Sequence, residues 1–505
     1  MKESATEELT WQRALDTVTG KDTHPELIKK VYAKKRYAST PNIASLKEQQ
    51  AGGFTKIQEM LNSPTGGVLV LKGYAGTGKT YLISVVTEWF LHTYRTKLMA
   101  VTAPTNKAVK VLRASAEFTH TNIEYKTIHS LLRLKEVVDA HGNVDFKPDN
   151  AFKGKGRDLS SYGVLVLDEV SMLNDELLTM IMPYVQKGLK LIFSGDPAQI
   201  PPVGMPDCLP FDEDWQTENG AIVVELTDIV RQQSESPIID MSLSLRNRLD
   251  GIRGGYTEHN VLSDKGSLII MDARDDDTFE YFTKTLYNYF NSANFRDDSD
   301  YMKVIAWRNK TVDKVNKQVR GLLYEEEAHK RVVIGEKLIM NSPVIQDRDG
   351  LETVVLTTNA EVTVRKLREK NESINEGQFN IKYYEAEVEE VSADGTISIQ
   401  FIDIVHEESL PIFNDVCEAL KDIAKSRKQG SFEARASWIE YYGFLKRFAD
   451  VNYNYAITAH KAQGSTYINC MVFRNDIRVN KNTREAIRIE YTAITRAKNT
   501  LIVIA

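Results

Sequence analysis

The run "GYAGTGKT", Gly73 to Thr80, constrains the fold more than any other stretch of the chain. Gly-x-x-x-x-Gly-Lys-Thr is the spacing of a phosphate-binding loop, in which backbone N–H groups cradle phosphates, a lysine meets the β/γ charge and a hydroxyl holds Mg²⁺. The flanks fit such a loop. "GGVLVLK" before it reads as a buried strand, and Leu82, Val85, Val86, Trp89 and Phe90 after it recur at helical spacing, which sets the loop at a helix N-terminus. Gly73, Ala75, Gly76, Thr77, Gly78, Lys79 and Thr80 are therefore the candidate phosphate binders, with Lys79 on the γ-phosphate and Thr80 a Mg²⁺ ligand.

A chain of 505 residues exceeds one ordinary core, and two or more domains are expected. From Leu46 onward the short apolar runs "KLMAVTAP", "GVLVLDEV", "LKLIFSGD" and "AIVVEL" are each followed by a loop or helix. That alternation is the pattern of a mostly parallel sheet covered on both faces. A second alternating block begins after Pro237 with the helix "IIDMSLSLRNRL" and the strand "MKVIAWRN". From about Val354 the texture turns to period two in "AEVTVRKL", "KYYEAEVEEV" and "TISIQFIDIV", the last two joined by "SADGT" with its Asp-Gly turn signal. This predicts a small antiparallel barrel inserted in the second block. A helical stretch, "SWIEYYGFLKRF", leads back to strands at "CMVFRN" and "NTLIVIA". The segment before Ala44 is polar, with one short helical candidate in "ELTWQRALDTV" and no legible function.

Hydrophobic residues make up 42% of the chain and charged residues 27%, the balance of a protein with a packed core. No apolar run is long enough to span a bilayer, and "MKESATEELTWQ" lacks a signal-peptide core, so no membrane partner is expected. Cys208, Cys417 and Cys470 are widely spaced and form no metal-ligand pattern; reduced thiols inside a cell are expected. Lys and Arg number 64 against 70 Asp and Glu, a formal charge of −6. That balance neither marks nor excludes a nucleic-acid partner, because only a phosphate-facing groove needs to be positive.

Hydrolysis of a bound nucleotide needs one carboxylate for the metal and another to orient water. "VLVLDEV" supplies both at a strand end, Asp168 for the metal and Glu169 for the water. An Asp-Glu pair alone is usually a solvated turn. Four apolar residues before it and a phosphate loop upstream make the catalytic reading the stronger. "FSGDPAQIPPVG" ends the next strand and sets Gln199 where it could sense the γ-phosphate. Arg231 in "ELTDIVRQQ" lies at the seam between the two blocks and Arg496 in "YTAITRAKN" in the second. An arginine that reaches the γ-phosphate across a cleft stabilises transition-state charge. Lys79, Asp168, Glu169, Gln199, Arg231 and Arg496 form the candidate catalytic set.

In order along the chain stand "GYAGTGKT", "VTAPTNKAVKVL", "KTIHSLL", "VLVLDEVSML", "SGDPAQIPPVG", "ELTDIVRQ", "TAHKAQGST" and "YTAITRAKN". From Leu46 to the C-terminus this ordered set resembles the superfamily-one DNA helicases of the B type, on the RecD and Dda branch. The resemblance implies an α/β fold of two RecA-like P-loop domains with parallel sheets, a small wedge hairpin inserted in the first and an SH3-like β-barrel in the second. The implied division is 1–44 as an extension, 45–235 as the first RecA-like domain with the hairpin at about 132–158, 236–353 with 450–505 as the second, and 354–449 as the barrel and helical insertion. It also implies ATP and Mg²⁺ as cofactors, ATP held between the two domains, and single-stranded DNA lying across both, travelled 5′ to 3′ with duplex separated ahead.

Under the resemblance Gln50 of "LKEQQAGGF" reads adenine with Phe54 as its aromatic, and Gln49 is the competing register. DNA contact falls to Pro104, Thr105, Asn106 and Lys107, to Thr127 and His129, and to Thr458, His460 and Ser465, while Gln463 and Gly464 link back to the nucleotide. Hydroxyls, amides and loop N–H groups bind phosphates without reading bases, which suits a motor indifferent to sequence. Taken alone, each histidine reads as a satisfied structural residue, and no Cys/His cluster accompanies either to make a zinc site. The hairpin is expected in "LKEVVDAHGNVDFKPDN", with Phe146 meeting the last base pair. Trp438, Tyr441 and Tyr442 brace that hairpin, stack on DNA or fill a core, and the core is the commoner use. "TTNAEV" departs from relatives that carry Asn-Gly at the turn into the barrel.

Two other readings compete. A phosphate-loop kinase would leave "TAHKAQGST" without a role. A DNA-stimulated clamp or translocase subunit of a larger recombination complex, unable to unwind alone, would give Glu169 less to do. The expected partners are single-stranded DNA, duplex junctions and a single-strand-binding or replication protein, with the protein a monomer in the cytoplasm of a bacterial or phage-infected cell.

Overall fold

The computed structural model of the protein describes residues 41–116, 120–149, 158–229, 236–252, 259–272, 276–348, 351–374, 379–391 and 396–505. The helical candidate "ELTWQRALDTV", Arg231 and the Asp-Gly turn of "SADGT" lie outside the described residues.

The first sheet takes β1 (Gly67–Gly73), β2 (Met99–Ala103) and β3 (Ile123–Thr127), then, after a hairpin of β4 (Leu134–Val138) and β5 (Val144–Pro148), β6 (Val164–Leu167), β7 (Lys190–Gly195) and β8 (Ile222–Leu226). Its order is β3-β2-β6-β7-β1-β8, and every neighbouring pair is parallel. The apolar runs are continuous because alternate side chains serve two covered faces. Leu69 and Leu71 of β1 and Val164 and Val166 of β6 pack under the helices Glu48–Asn62, Lys79–Thr93 and Asn106–Ser115. Val68, Val70, Leu165 and Leu167 meet Leu177, Leu178 and Ile181 of the helix Asp175–Val185 on the other side. Lys72 lies opposite Gly195 and Leu167 opposite Phe193, so the residues that follow β1, β6 and β7 emerge along one edge. Open parallel sheets bind ligands in the crevice at that edge.

The second block opens with the helix Pro237–Leu249, β9 (Ser267–Met271) and β10 (Met302–Ala306). The chain then leaves through β11 (Lys337–Met340), a ribbon of β12 (Val344–Arg348) and β13 (Leu351–Leu356), β14 (Glu361–Ile374), β15 (Phe379–Val391) and β16 (Ile397–Val405). After the helices Leu410–Ser426 and Phe432–Leu445 it returns through β17 (Val451–Tyr453) to β18 (Ala456–Thr458), β19 (Tyr467–Phe473) and β20 (Ala497–Ile504). The order β18-β10-β19-β20-β9 is a second parallel sheet, again covered on both faces.

The inserted sheet, β16-β15-β14-β11-β17, is antiparallel throughout, with β16 and β17 as its end strands. Val362, Val364, Tyr384, Ala386, Val388, Ile402 and Ile404 point into its core, while Arg365 pairs with Glu389 and Lys366 with Glu387 outside. The sheet reaches beyond the expected 354–449, to β11 before it and β17 after it. Those strands have 4 and 3 residues, too short for a period to register in the sequence. In "TTNAEV" Asn359 itself takes the left-handed conformation (φ 61°), so the turn into β14 is made without a glycine. Among the described residues no helix is long and apolar enough to cross a membrane.

Candidate functional site

At the end of β1 the chain turns through Gly76 (φ 87°) and Gly78 (φ 82°), both left-handed, and Gly78 caps the helix Lys79–Thr93. A Cβ on Gly73 would stand 2.7 Å from Thr77 Oγ1, so close approach within the loop explains that glycine. Lys79 Nζ donates to Gly73 O at 2.5 Å and Tyr74 O at 3.2 Å, and half-buried Thr80 follows in the first helical turn. Gln50 is 1% exposed and donates from Nε2 to Thr77 O (3.3 Å) and Gly78 O (3.4 Å). Gln49 instead accepts the N–H groups of Thr227 (2.8 Å) and Asp228 (3.0 Å), beside β8. Of the two registers, Gln50 is thus the one on the phosphate loop. Phe54, expected beside adenine, is a core residue, 3% exposed and edge-on to Trp89 at 5.9 Å; its neighbours on the covered face leave no ring surface for a base.

Asp168 follows β6 and accepts from Ser194 Oγ at 2.7 Å. Burial pushes its carboxyl up, against the Ser194 hydrogen bond and the Lys79 charge. Glu169 has φ 52°, a left-handed backbone on a residue that lacks glycine's freedom. Such strain is held only where the surroundings over-determine it. Burial and then the Asp168 charge raise the Glu169 pKa, while Arg496 and Lys79 draw it down. Gln199 is 5% exposed; its N–H goes to Asp196 O at 3.2 Å, and its Oε1 is buried with no hydrogen-bond partner.

The second block closes on these loops through the helix Thr483–Ile494. Tyr491 OH donates to Asp196 Oδ2 at 2.7 Å and accepts Ala75 N–H at 3.3 Å, and Thr492 Oγ1 accepts Ile200 N–H at 3.2 Å. Arg488 bonds Pro206 O at 2.7 Å and the Asp207 carboxylate. Gln463 Nε2 donates to Ile200 O at 2.9 Å, and Gly464 (φ 70°) sits so near the first block that a Cβ would lie 3.0 Å from Ala108 Cβ and 3.3 Å from Thr105 Oγ1. Arg496 is 5% exposed and donates to Thr492 O (2.9 Å), Ser465 O (3.0 Å) and Thr495 Oγ1 (3.0 Å). Sequence reasoning quoted Tyr491 and Thr492 only as part of "YTAITRAKN" and gave neither a role.

The candidate DNA residues share a local design. Thr105, Thr127 and Thr458 are each a helix N-cap, accepting the N–H of Ala108 (3.2 Å), Ser130 (3.2 Å) and Lys461 (3.3 Å). A threonine that accepts in this way keeps its hydroxyl proton to donate. Pro104 and Asn106 flank the first cap, half-buried; burial lowers the His129 and His460 pKa values, and Ser465 is 2% exposed. Lys107 lies apart from this set. Its Nζ is held by Asp300 (2.6 Å) from the second block and Glu361 (2.7 Å) from β14, over the Tyr467 ring at 4.5 Å. Two carboxylates, rather than an open groove, surround that amine.

The hairpin forms where "LKEVVDAHGNVDFKPDN" predicts it. Phe146 is 42% exposed and meets His129 edge-on at 5.3 Å. At the hairpin's turn Gly142 (φ 85°) lies against the Trp438 ring, Tyr442 OH donates to Gly142 O at 2.9 Å, and Lys446 pairs with Glu136. Of the three uses open to these aromatics, Trp438 and Tyr442 take that of a brace.

The family model described as an AAA domain matches residues 46–266. The chain is similar to the ATP-dependent DNA helicase dda of Enterobacteria phage T4, at 26% identity over 90% of this chain and 98% of that protein. It is similar also to an uncharacterized protein of Acanthamoeba polyphaga mimivirus, at 25% identity over 88% of this chain and 97% of the other. The RecBCD enzyme subunit RecD of Buchnera aphidicola matches at 22% identity over 91% of this chain and 73% of its own length. The chain resembles the superfamily-one helicases of the RecD and Dda branch.

Proposed function

We propose that the protein is an ATP-driven DNA helicase that moves 5′ to 3′ on single-stranded DNA and separates duplex at a junction, working as a monomer. The observation that carries this is the hydrogen bonding of both nucleotide-side loops, through Ala75, Asp196 and Ile200, to one helix of the second block, two residues beyond whose end Arg496 bonds Ser465. A displacement at the phosphates would therefore move the segment Thr458–Ser465.

With ATP in the crevice, Lys79 would exchange its own loop carbonyls for the γ-phosphate, and Gln50 would support the loop beside the base. Thr80 and Asp168 offer the oxygen donors that Mg²⁺ prefers, and they would hold it where its charge offsets that of the phosphates. Glu169 would orient the attacking water, with the unpartnered Gln199 Oε1 accepting the water's second hydrogen. Arg496, and Arg231 from the seam, would meet the charge that develops on the γ-phosphate. Thr105, Thr127 and Thr458 would donate their hydroxyl protons to successive phosphates, a grip that carries no base preference. Phe146, stiffened by the helix Phe432–Leu445, would wedge the junction, where each pair resists by about 1.4 kcal/mol of stacking.

A duplex carrying either a 5′ or a 3′ single-stranded tail tests the proposal, with Lys79→Ala as the blank. Opening of the 5′-tailed substrate alone is expected. Opening of the 3′-tailed substrate would reverse the direction, and failure on both with DNA-stimulated hydrolysis intact would make the chain a translocase.

A further inference from the structure

We propose that Tyr491 is a positioning residue for the γ-phosphate end of the site, holding the phosphate loop and the Gln199 loop in register across the cleft. The inference rests on the ATP-hydrolysis reading above. Tyr491 is 1% exposed, and the surrounding core of Ile487, Ile489, Ala493 and Ile494 would accept a phenylalanine equally well. Packing alone therefore gives no reason for the hydroxyl. That hydroxyl is nonetheless saturated, with a donor and an acceptor that belong to two different loops of the other block.

On one side it accepts the N–H of Ala75, the third residue of the phosphate loop, at 3.3 Å. On the other it donates to Asp196 Oδ2 at 2.7 Å, while Asp196 Oδ1 takes Ala198 N–H at 2.9 Å and Asp196 O takes Gln199 N–H at 3.2 Å. One phenol thus fixes the spacing between the loop that cradles phosphates and the loop that presents Gln199. Asp196 is fully buried, so a carboxylate there depends on the partners it has. Burial and the Asp196 charge raise the phenol pKa well above its ordinary value, so Tyr491 remains a proton donor throughout the working range. Because Arg496 lies just past the end of the same helix and bonds Ser465, the register set by Tyr491 is also shared with the DNA-side segment.

The test is a double-mutant cycle of Tyr491→Phe and Gln199→Ala, reading kcat and KM for ATP with saturating single-stranded DNA. Tyr491→Phe should lower kcat about tenfold or more, the scale of one hydrogen bond to a charged group, and move KM much less. Because both residues act through one loop, the double variant should lose no more than the worse single one. Wild-type kcat in Tyr491→Phe, or losses that multiply in the double variant, would overturn the proposal. Wild-type protein that hydrolyses no more ATP than Lys79→Ala would instead overturn the reading on which it rests.

Discussion

At Glu169 a single residue carries both strain and charge. Its left-handed backbone, φ 52°, is worth about 1–3 kcal/mol of strain on a residue with a side chain, and its carboxylate lies in the field of Asp168, Arg496 and Lys79. Glu169→Gln keeps the shape and removes the proposed base. Steady hydrolysis should fall at least about a hundredfold, the range of general-base catalysis, while ATP-dependent DNA retention in a filter assay persists. Hydrolysis within a factor of two of wild type would remove Glu169 from the water. The Asp-Glu pair was legible in the sequence because a buried strand and a phosphate loop precede it. Gln50 was legible only as one of two registers, since adjacent glutamines on a helix point to different neighbours and only folding shows that one meets Thr77 and the other Thr227. Tyr491 stood in "YTAITRAKN" without a role of its own, because a buried helix position names the burial of a tyrosine and nothing of its hydroxyl.

At the scale of elements, the hairpin of β4 and β5 and the helix Phe432–Leu445 form one unit although nearly the whole inserted sheet lies between them in the chain. Gly142 is the contact point. Its φ of 85° and the Trp438 ring against its Cα leave no place for a methyl group. Gly142→Ala would add about 1–2 kcal/mol of backbone strain and push the turn off the ring. Strand separation should then slow several-fold with single-strand-stimulated hydrolysis unchanged, and Phe146→Ala should do the same without disturbing the brace. Equal loss of both activities in Phe146→Ala would end its role as a wedge. The parallel sheets were readable because long apolar runs and helical periods repeat over many residues. The brace was not, since Trp438 fits core, DNA and hairpin alike, and the 4- and 3-residue strands β11 and β17 join their sheet by pairings no local pattern announces.

Across the whole molecule the first block, the second block and the inserted sheet meet at Lys107. Resemblance placed this lysine on DNA, and pairing with carboxylates distant in sequence could not be read from its motif. Its amine joins Asp300 and Glu361, with Ser299 Oγ donating to the second Glu361 oxygen at 2.7 Å, and Lys110 on the same helix reaches Glu390 at 3.1 Å. The insertion is therefore fastened to the first block here through its sheet and at the hairpin through its helix Phe432–Leu445, so cleft motion must be accommodated between two anchors. Burial pushes the Glu361 carboxyl up, but Lys107 and Lys303 with the Lys107 and Ser299 hydrogen bonds outweigh it and hold the pKa well below the usual range. Burial pulls Lys107 down, and Asp300 and Glu361 more than reverse it. The signs fix the pH window. A depressed carboxylate stabilises fully above its unfolded pKa, near 4.3, and loses that contribution as pH falls through the folded value; a raised lysine contributes fully below about 10.4. Asp298, Asp300, Lys303 and Lys337 face the same cluster, so Glu361→Gln should be compared with wild type rather than read alone. The wild-type advantage in unfolding free energy should be constant from about pH 5 up to the onset of Lys303 deprotonation, whose pKa burial lowers to about 8, and shrink by about 1.4 kcal/mol per unit below 4.3. An advantage that stays undiminished at pH 3.5 in paired melts would mean that Glu361 is not ionised against Lys107, and the three-way joint would then rest on Asp300 alone.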